Sequence, residues 1–367
     1  MARAIQLAKK GRFTTHPNPR VGCVIVNNDE IIGEGYHQFA GQPHAEINAL
    51  NSVKKSKQTL IKNGTVYVTL EPCSHTGKTP PCADALVKSG VNRVVIAMLD
   101  LNPQVSGRGV TKLKEAKIDV NVGVLEDQAR ALNLGFLKRM EHNRPFVRVK
   151  MAMSLDGKTA MASGESQWIT GPEARHDVQR LRAKADAILT GSGTVVDDDP
   201  LLNIRISYSD LGLEFDQDFI QPLRVVLDTE LKTKPSAKML GLEGKTLIYT
   251  CSGDTTKIQD ITQENTEVTV LMGSKILLNE VFDDLASRQI NEVHVEAGAT
   301  LCGALLAEEY VDEIVIYMAP TILGGDARSL FNLPELLTMK DKVNVEIKDI
   351  RSVGKDWRIT AIPNYLK

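Results

Sequence analysis

Two runs decide the first half of this chain: Pro43-His44-Ala45-Glu46 and, further on, Glu71-Pro72-Cys73-Ser74-His75-Thr76-Gly77-Lys78-Thr79-Pro80-Pro81-Cys82. Among them His44, Glu46, Cys73 and Cys82 bring one imidazole, one carboxylate and two thiols into the same short region, the donor set of a catalytic zinc with a proton carrier beside it. Singly, each residue reads as structural: a surface His, a capping Glu, a buried Cys. The joint pattern carries the metal reading. Pro43 suits the first position of a helix, and Ala45, Ala49, Leu50 and Val53 give that helix an apolar stripe, so His44 and Glu46 fall in its first turn. Residues 65–70 read as a buried strand ending at Glu71-Pro72-Cys73, where open α/β sheets place their sites. Cys82 opens a second helix that runs to Ser89 and is closed by Gly90. A helix N-terminus favours the thiolate that zinc requires.

With His44, Cys73 and Cys82 as ligands, a fourth position is left for water, whose pKa falls toward neutrality on zinc. Glu46 can then take a proton from that water and deliver it to a leaving amine. The His-x-Glu and Pro-Cys elements match nucleobase deaminases, but eight residues rather than two separate the cysteines. His75, inside that insertion, is an alternative ligand. The loop, polar and rich in proline, is expected to touch substrate.

Working outward, residues 1–10 read as a short amphipathic helix stopped by Gly11, and His16-Pro17-Asn18-Pro19 as an extended run. Residues 21–26 and 31–35 form a hairpin across Asn27-Asn28-Asp29-Glu30. Strands at 91–97 and 118–122 with a helix after Gly107 complete an alternating α/β pattern. One helical stripe spans 126–142 (Ala129, Leu132, Phe136, Leu137, Met140), and Asn143-Arg144-Pro145 breaks it. The chain therefore divides into domains 1–143 and 144–367.

In the second half, residues 146–152 alternate as a strand carrying Lys150, and Ser154-Leu155-Asp156-Gly157 turns the chain. Lysines on strands are usually solvated. Residues 166–172 read as a loop with Trp168 as core filling, ahead of a helix over 173–183 whose first amides suit an anion. Asp197-Asp198-Asp199-Pro200 reads as an acidic turn after a strand at 187–190, and further strands fall at 223–228, 245–250 and 268–271. A strand at 292–295 leads into Glu296-Ala297-Gly298-Ala299-Thr300-Leu301-Cys302-Gly303-Ala304, a small-residue turn before a helix that would let a diphosphate approach the backbone. It lacks the Gly-x-Gly-x-x-Gly spacing of a Rossmann turn. Gly324-Gly325 marks another turn, and the last strands fall near 344–348 and 357–362.

The bulk composition narrows the class. The chain has 367 residues and a formal net charge of −2, with no basic field for nucleic acid or an anionic membrane. No apolar run approaches the roughly 20 residues of a membrane span, and the N-terminus lacks the apolar core of a signal peptide. A cytoplasmic small-molecule enzyme is expected. Five scattered cysteines make a disulfide framework improbable and leave thiols for metal.

Taken together, residues 16–25, 43–46, 71–82 with their long cysteine spacing, 153–158 (Met-Ser-Leu-Asp-Gly-Lys), 165–170, 193–200 and 296–304 closely resemble one family. It is that of the bifunctional riboflavin biosynthesis enzymes combining diaminohydroxyphosphoribosylaminopyrimidine deaminase with 5-amino-6-(5-phosphoribosylamino)uracil reductase. The resemblance covers nearly the whole chain and makes the eight-residue spacing a family feature. It implies an α/β protein with a cytidine-deaminase-like α/β/α domain followed by a dihydrofolate-reductase-like α/β domain. His44, Cys73 and Cys82 would bind Zn2+, and Glu46 would move protons as the pyrimidine's 2-amino group leaves as ammonia. NADPH would then reduce the ribosyl chain to ribityl. Ala152, Trp168, Thr194, Asp198 and the run Gly298, Ala299, Thr300, Leu301, Cys302, Gly303 and Ala304 correspond to NADPH contacts. Ser166, Arg182, Leu202, Arg205 and Glu296 correspond to contacts with a phosphorylated pyrimidine, the arginines suiting its phosphate. Lys150 gains a catalytic expectation, and a homo-oligomer is expected.

Two other classes make different demands. A nucleobase or tRNA deaminase with a C-terminal binding module calls for a basic surface and a Cys-x-x-Cys spacing, and neither is present. A structural zinc calls for a fourth Cys or His nearby, where the sequence offers His75.

Overall fold

The computed structural model describes residues 1–74, 80–102 and 105–365. The chain forms two compact units, Met1–Asn143 and Arg144–Lys367. Among the described residues no helix is long and apolar enough to cross a membrane.

The first unit consists of α1 (Ala2–Ala8), β1 (Gly22–Asn27), β2 (Glu30–Tyr36), α2 (Ala45–Ser52), β3 (Thr65–Val68), α3 (Cys82–Ser89), β4 (Arg93–Ile96), α4 (Arg108–Glu115), β5 (Asp119–Val122), α5 (Glu126–Leu132) and α6 (Leu134–His142). Its sheet has the order β2-β1-β3-β4-β5, with β1 antiparallel to both neighbours and β3, β4 and β5 parallel. The hairpin turns at Asn28 and Asp29, both at positive φ (48° and 61°), which Asn and Asp tolerate better than other residues. Alternation along the strands splits the core between two faces. Cys23, Ile25, Val66, Val68, Val94 and Ile96 pack with Ala45 and Ala49 of α2, Leu86 of α3 and Leu113 of α4. Val24 on the other face packs with Ala4 and Leu7 of α1. Each fully buried Val, Leu or Ile among them contributes about 1.5–3 kcal/mol.

The second unit adds β6 (Phe146–Ser154), β7 (Lys158–Ala160), α7 (Pro172–Arg182), β8 (Ala187–Gly191), α8 (Ser192–Asp198), β9 (Leu223–Leu227), β10 (Thr246–Thr250), α9 (Thr255–Ile261), β11 (Thr266–Val270), α10 (Leu278–Ser287), β12 (Glu292–Val295), α11 (Ala299–Ala307), β13 (Glu313–Ala319), β14 (Arg328–Ser329), β15 (Asn344–Val353) and β16 (Asp356–Asn364). Nine strands form one sheet, β11-β10-β9-β8-β12-β6-β13-β16-β15, parallel from β11 to β13 and closed by an antiparallel hairpin. Val147, Val149, Leu189, Val225, Val293 and Val295 bury one face under α10 (Val281, Phe282, Leu285) and α11 (Cys302, Leu305). The other face takes α7, through Ala174, Val178 and Leu181 on Val315 and Tyr317.

Several expectations need correction. Residues 16–19 turn instead of extending, with Asn18 N–H donating to Thr15 O (2.7 Å), because proline restricts its predecessor's dihedrals and not the direction of the chain. The stripe over 126–142 belongs to two helices. Asn133, buried between them, donates to Arg20 O (3.1 Å) and accepts from Arg20 N–H (2.7 Å), while Arg20 Nη1 takes up Leu132 O (2.7 Å). These bonds replace the helical ladder at the junction. Asp197 and Asp198 end α8 and are not a turn, and Asp199 follows at φ 41°. The small-residue run after Glu296 is helical from Ala299. The final hairpin is longer than expected, and β13, α9 and α10 have no counterpart in the periodicity reading.

Candidate active sites

In the first unit, His44 is the N-cap of α2, one position before the helix that Pro43 was expected to open. Gly35 lets α2 lie on β2, since a Cβ there would come within 2.3 Å of Ala49 N. Pro81 caps α3, so Cys82 takes its first position as expected, and Gly90 closes it at φ 72°. The result brings His44 Nδ1 to 3.3 Å from Cys82 Sγ and 3.5 Å from Cys73 Sγ, with Cys82 N–H donating to Cys73 Sγ (3.3 Å). All three donor atoms lie within 4.8 Å of one another. Separations of this size suit three corners of a tetrahedron with metal bonds of about 2.0–2.3 Å, so the residues fit zinc. His75 lies outside the described residues.

Electrostatics favour the same use. Hydrogen bonding from Cys82, ahead of burial that opposes it, pulls the Cys73 thiol down to about 4, and Cys82 is pushed up by that same bond. The sulfurs thus share one proton, which a divalent cation would displace. The bond to Cys73 raises His44. Burial, then the charge on Cys73, pushes Glu46 up to about 7, and its side chain is 4 % exposed. A carboxyl held there can both accept and return a proton near neutral pH.

Behind these residues stands support the sequence reading missed. Buried His37 takes Asn18 Nδ2 at Nε2 (3.0 Å), reaches Pro43 O from Nδ1 (3.2 Å), and meets the His44 ring edge to face at 5.4 Å. Burial pushes His37 down to about 4, so it is neutral, with its Nδ1–H on Pro43 O and Nε2 accepting. Glu71, at the end of the Cys73 strand, accepts four backbone amides: Asp100 (3.2 Å), Gly107 (3.0 Å), Gly109 (2.9 Å) and Val110 (3.1 Å). It thereby caps α4 from a distant strand. The signal was an acidic residue closing an apolar strand, with glycines downstream at 107 and 109; a Cβ at Gly109 would strike Pro72 O at 2.1 Å.

In the second unit, the residues carried over from the family resemblance come from β6 (Lys150, Ala152), the loop before α7 and the last residue of that helix (Ser166, Trp168, Arg182), α8 and the loop after it (Thr194, Asp198, Leu202, Arg205), and the stretch from Glu296 into α11. Lys150 and Ala152 share one face of β6. Lys150 is half-buried instead of solvated. Its Nζ lies 6.0 Å from the Tyr317 ring centroid, and burial lowers its pKa against the opposing charge of Glu296. Glu296, just past β12, receives Arg182 in a two-pronged bond, Nε to Oε1 (2.5 Å) and Nη2 to Oε2 (3.0 Å). Burial alone would raise its carboxyl, but Arg182 holds it well below the usual carboxylate range. Arg182 also donates to Asn203 O (2.9 Å), so three of its bonds are made within the protein. Arg205, exposed and bonded to Asn203 Oδ1 (2.8 Å), is better placed to meet a phosphate. Leu202 is 1 % exposed at φ 46°, which leaves its backbone to make any contact.

Ser166 and Trp168 sit on the loop before α7, and Trp168 is 71 % exposed, the opposite of core filling. Gln167 Nε2 ties this loop to Asp198 Oδ1 (3.3 Å) on α8, the helix that also carries Thr194. Gly298 is the N-cap of α11, and the amides of Ala299, Thr300 and Leu301 precede its first intrahelical bond, Cys302 N–H to Gly298 O (3.1 Å). Such a terminus fits a diphosphate. Cys302 and Gly303 are buried, Ala304 half-buried. Asp156 accepts Ser154 Oγ (2.5 Å) and the Gly324 amide (2.8 Å), bonds that pull it down to about 2 and join the two turns.

Comparison with known proteins covers both units. The family model "Cytidine and deoxycytidylate deaminase zinc-binding region" matches residues 1–98, and "RibD C-terminal domain" matches residues 145–359. The chain is 49% identical over 361 residues to the riboflavin biosynthesis protein RibD of Escherichia coli K12, covering 97% of this chain and 96% of that one. A solved structure of Acinetobacter baumannii RibD superposes with a TM-score of 0.88 at 43% identity, covering 99% of this chain and 98% of that one. A diaminohydroxyphosphoribosylaminopyrimidine deaminase/5-amino-6-(5-phosphoribosylamino)uracil reductase from Thermotoga maritima superposes with a TM-score of 0.87 at 32% identity, covering 99% and 97%. A zinc-site unit and a reductase unit joined in this order, and matched end to end by these relatives, mean that the chain belongs to the RibD family of bifunctional riboflavin biosynthesis deaminase/reductases.

Proposed function

We propose that the first unit hydrolyses the 2-amino group of 2,5-diamino-6-ribosylamino-4(3H)-pyrimidinone 5′-phosphate, and that the second reduces the ribosyl chain of the product to ribityl. The observation that carries the reading is the convergence of His44 Nδ1, Cys73 Sγ and Cys82 Sγ within 4.8 Å, beside a Glu46 only 4 % exposed. When bound, zinc supplies a Lewis acid that activates water, and NADPH supplies a hydride. His44, Cys73 and Cys82 hold the metal. Glu46 takes the proton from the attacking water and returns it to the departing nitrogen, which leaves as ammonia. His37 and Glu71 keep the ligands in place from behind.

In the reductase unit, the α11 terminus from Gly298 to Ala304, with Ala152, Thr194, Asp198 and Trp168, takes the cofactor. Ser166, Arg205 and the Leu202 backbone take the phosphorylated substrate, while Arg182 orients Glu296 toward the substrate's hydroxyls. Lys150 has no ion-pair partner among the described residues, and its cationic form is set to protonate the nitrogen or bind a hydroxyl as the ring-opened imine accepts hydride. The exposed edge strand β15, with Val345, Ile347 and Ile350 each about half exposed, supports a homo-oligomer.

The test is metal analysis with a coupled assay. Purified protein should hold one zinc, release ammonia from the diaminopyrimidinone ribosyl phosphate, and oxidise NADPH in step. Zinc-loaded protein that releases ammonia but oxidises no NADPH would replace this reading with a deaminase carrying a binding module.

A further inference from the structure

Trp168 is an unusually open position for the largest apolar side chain, and the loop around it is tied down on both sides. Gln167 Nε2 bonds Asp198 Oδ1 (3.3 Å), and Gly171 N–H donates to the buried Asp356 Oδ2 (2.7 Å). The indole itself lies under the Arg175 guanidinium, whose Cζ is 4.6 Å from the ring centroid. Arg175 is fixed in its turn, donating from Nη1 to Thr170 O (2.7 Å) in the same loop. A planar cation anchored to the backbone therefore covers one indole face. At 71 % exposure the other face is open.

We propose that Arg175 is a positioning residue for the reduction: bonded to Thr170 and stacked on Trp168, it poses the open indole face to receive a planar heterocyclic ring of the cofactor. The proposal rests on the reading that Trp168 contacts NADPH. The stack needs arginine, because a guanidinium is flat, delocalised and weakly hydrated, whereas a lysine ammonium is a hydrated point charge. The guanidinium also draws electron density toward its own face of the indole, which leaves the far face poorer in electrons and so a better partner for an electron-rich ring.

The chain has two tryptophans, so Trp357→Phe makes Trp168 the sole indole reporter. In that full-length background, Arg175→Met is expected to shift Trp168 emission and weaken NADPH binding, read by quenching, about fivefold, the size of one lost cation–π contact. Arg175→Lys should fall between the two, which keeps the test open if the Met variant fails to fold. In steady state, KM for NADPH should rise by a similar factor with little change in kcat. In a Trp168→Ala background, Arg175→Met should add nothing. An equal rise in KM with and without the indole would show a merely structural arginine and overturn the proposal, as would an unchanged KM in the Arg175 variants where Trp168→Ala raises it. An unchanged KM in Trp168→Ala itself would overturn the cofactor reading beneath.

Discussion

The two sites are assembled in opposite ways. In the deaminase unit every donor lies in one of two short runs, residues 43–46 at the start of α2 and residues 71–82 between β3 and the start of α3, so the chemistry is local in sequence. In the reductase unit Lys150, Arg182, Arg205 and Glu296 come from four places in the chain (the middle of β6, the end of α7, the loop after α8 and the residue after β12) and are close enough to feel one another's charge only through the fold. The first is a metal cage whose members fail together. The second is a network of charges whose members can be weakened one at a time.

Removing a cage member should have the largest effect. Cys82→Ser is expected to abolish zinc retention, measured by metal analysis, and to bring ammonia release to background, while reduction of the deaminated intermediate continues. A zinc-loaded Cys82→Ser enzyme would break the contrast. Glu296→Gln comes next, because it leaves the Arg182 guanidinium, with its side chain 9 % exposed, without a countercharge. A loss of about 3 kcal/mol in reductase-unit stability is expected from thermal or urea unfolding, with kcat/KM for reduction falling about a hundredfold. Glu71→Gln should act more gently. It weakens four amide bonds by an amount totalling about 1–3 kcal/mol and lowers ammonia release while zinc stays bound.

The smallest effect concerns pH. His294, fully buried on β12, lies 3.3 Å from Glu296 Oε1 without a hydrogen-bond partner among the described residues, and burial lowers its pKa below the model-peptide value of 6.5. The unfolded chain therefore binds a proton near pH 6.5 that the folded chain refuses. Stability from this group is fully present above pH 6.5 and is lost as pH falls below it, by at most about 1.4 kcal/mol per pH unit. His294→Gln should flatten the melting temperature between pH 7 and pH 5, and an unchanged slope would assign the acid sensitivity to other groups.

The same contrast explains what was legible. The candidate donor group His44, Cys73 and Cys82, the helix opened by Cys82 and the β1–β2 hairpin were all visible in the sequence through residue types, capping, turn chemistry and alternation. Glu71 and His37 were in plain view without roles, because their partners lie at residues 100–110 and at Asn18 and Pro43, and only the fold brings these together. Arg182 entered as a substrate contact through the family resemblance, and spacing could not show its bond to a carboxylate more than a hundred residues away. The break at Asn133 was hidden for a similar reason: its competing bonds run to Arg20. For the second unit, the family resemblance supplied what periodicity could not.

The most direct test of two independent sites on one chain is a crossed experiment with Glu46→Gln and Lys150→Ala, each given the diaminopyrimidinone substrate and, separately, its deaminated product with NADPH. Glu46→Gln should lose ammonia release by a factor of about 100 to 10,000 and reduce the deaminated product at the wild-type rate. Lys150→Ala should release ammonia normally and fail to oxidise NADPH. Loss of both reactions in either folded variant would contradict the account.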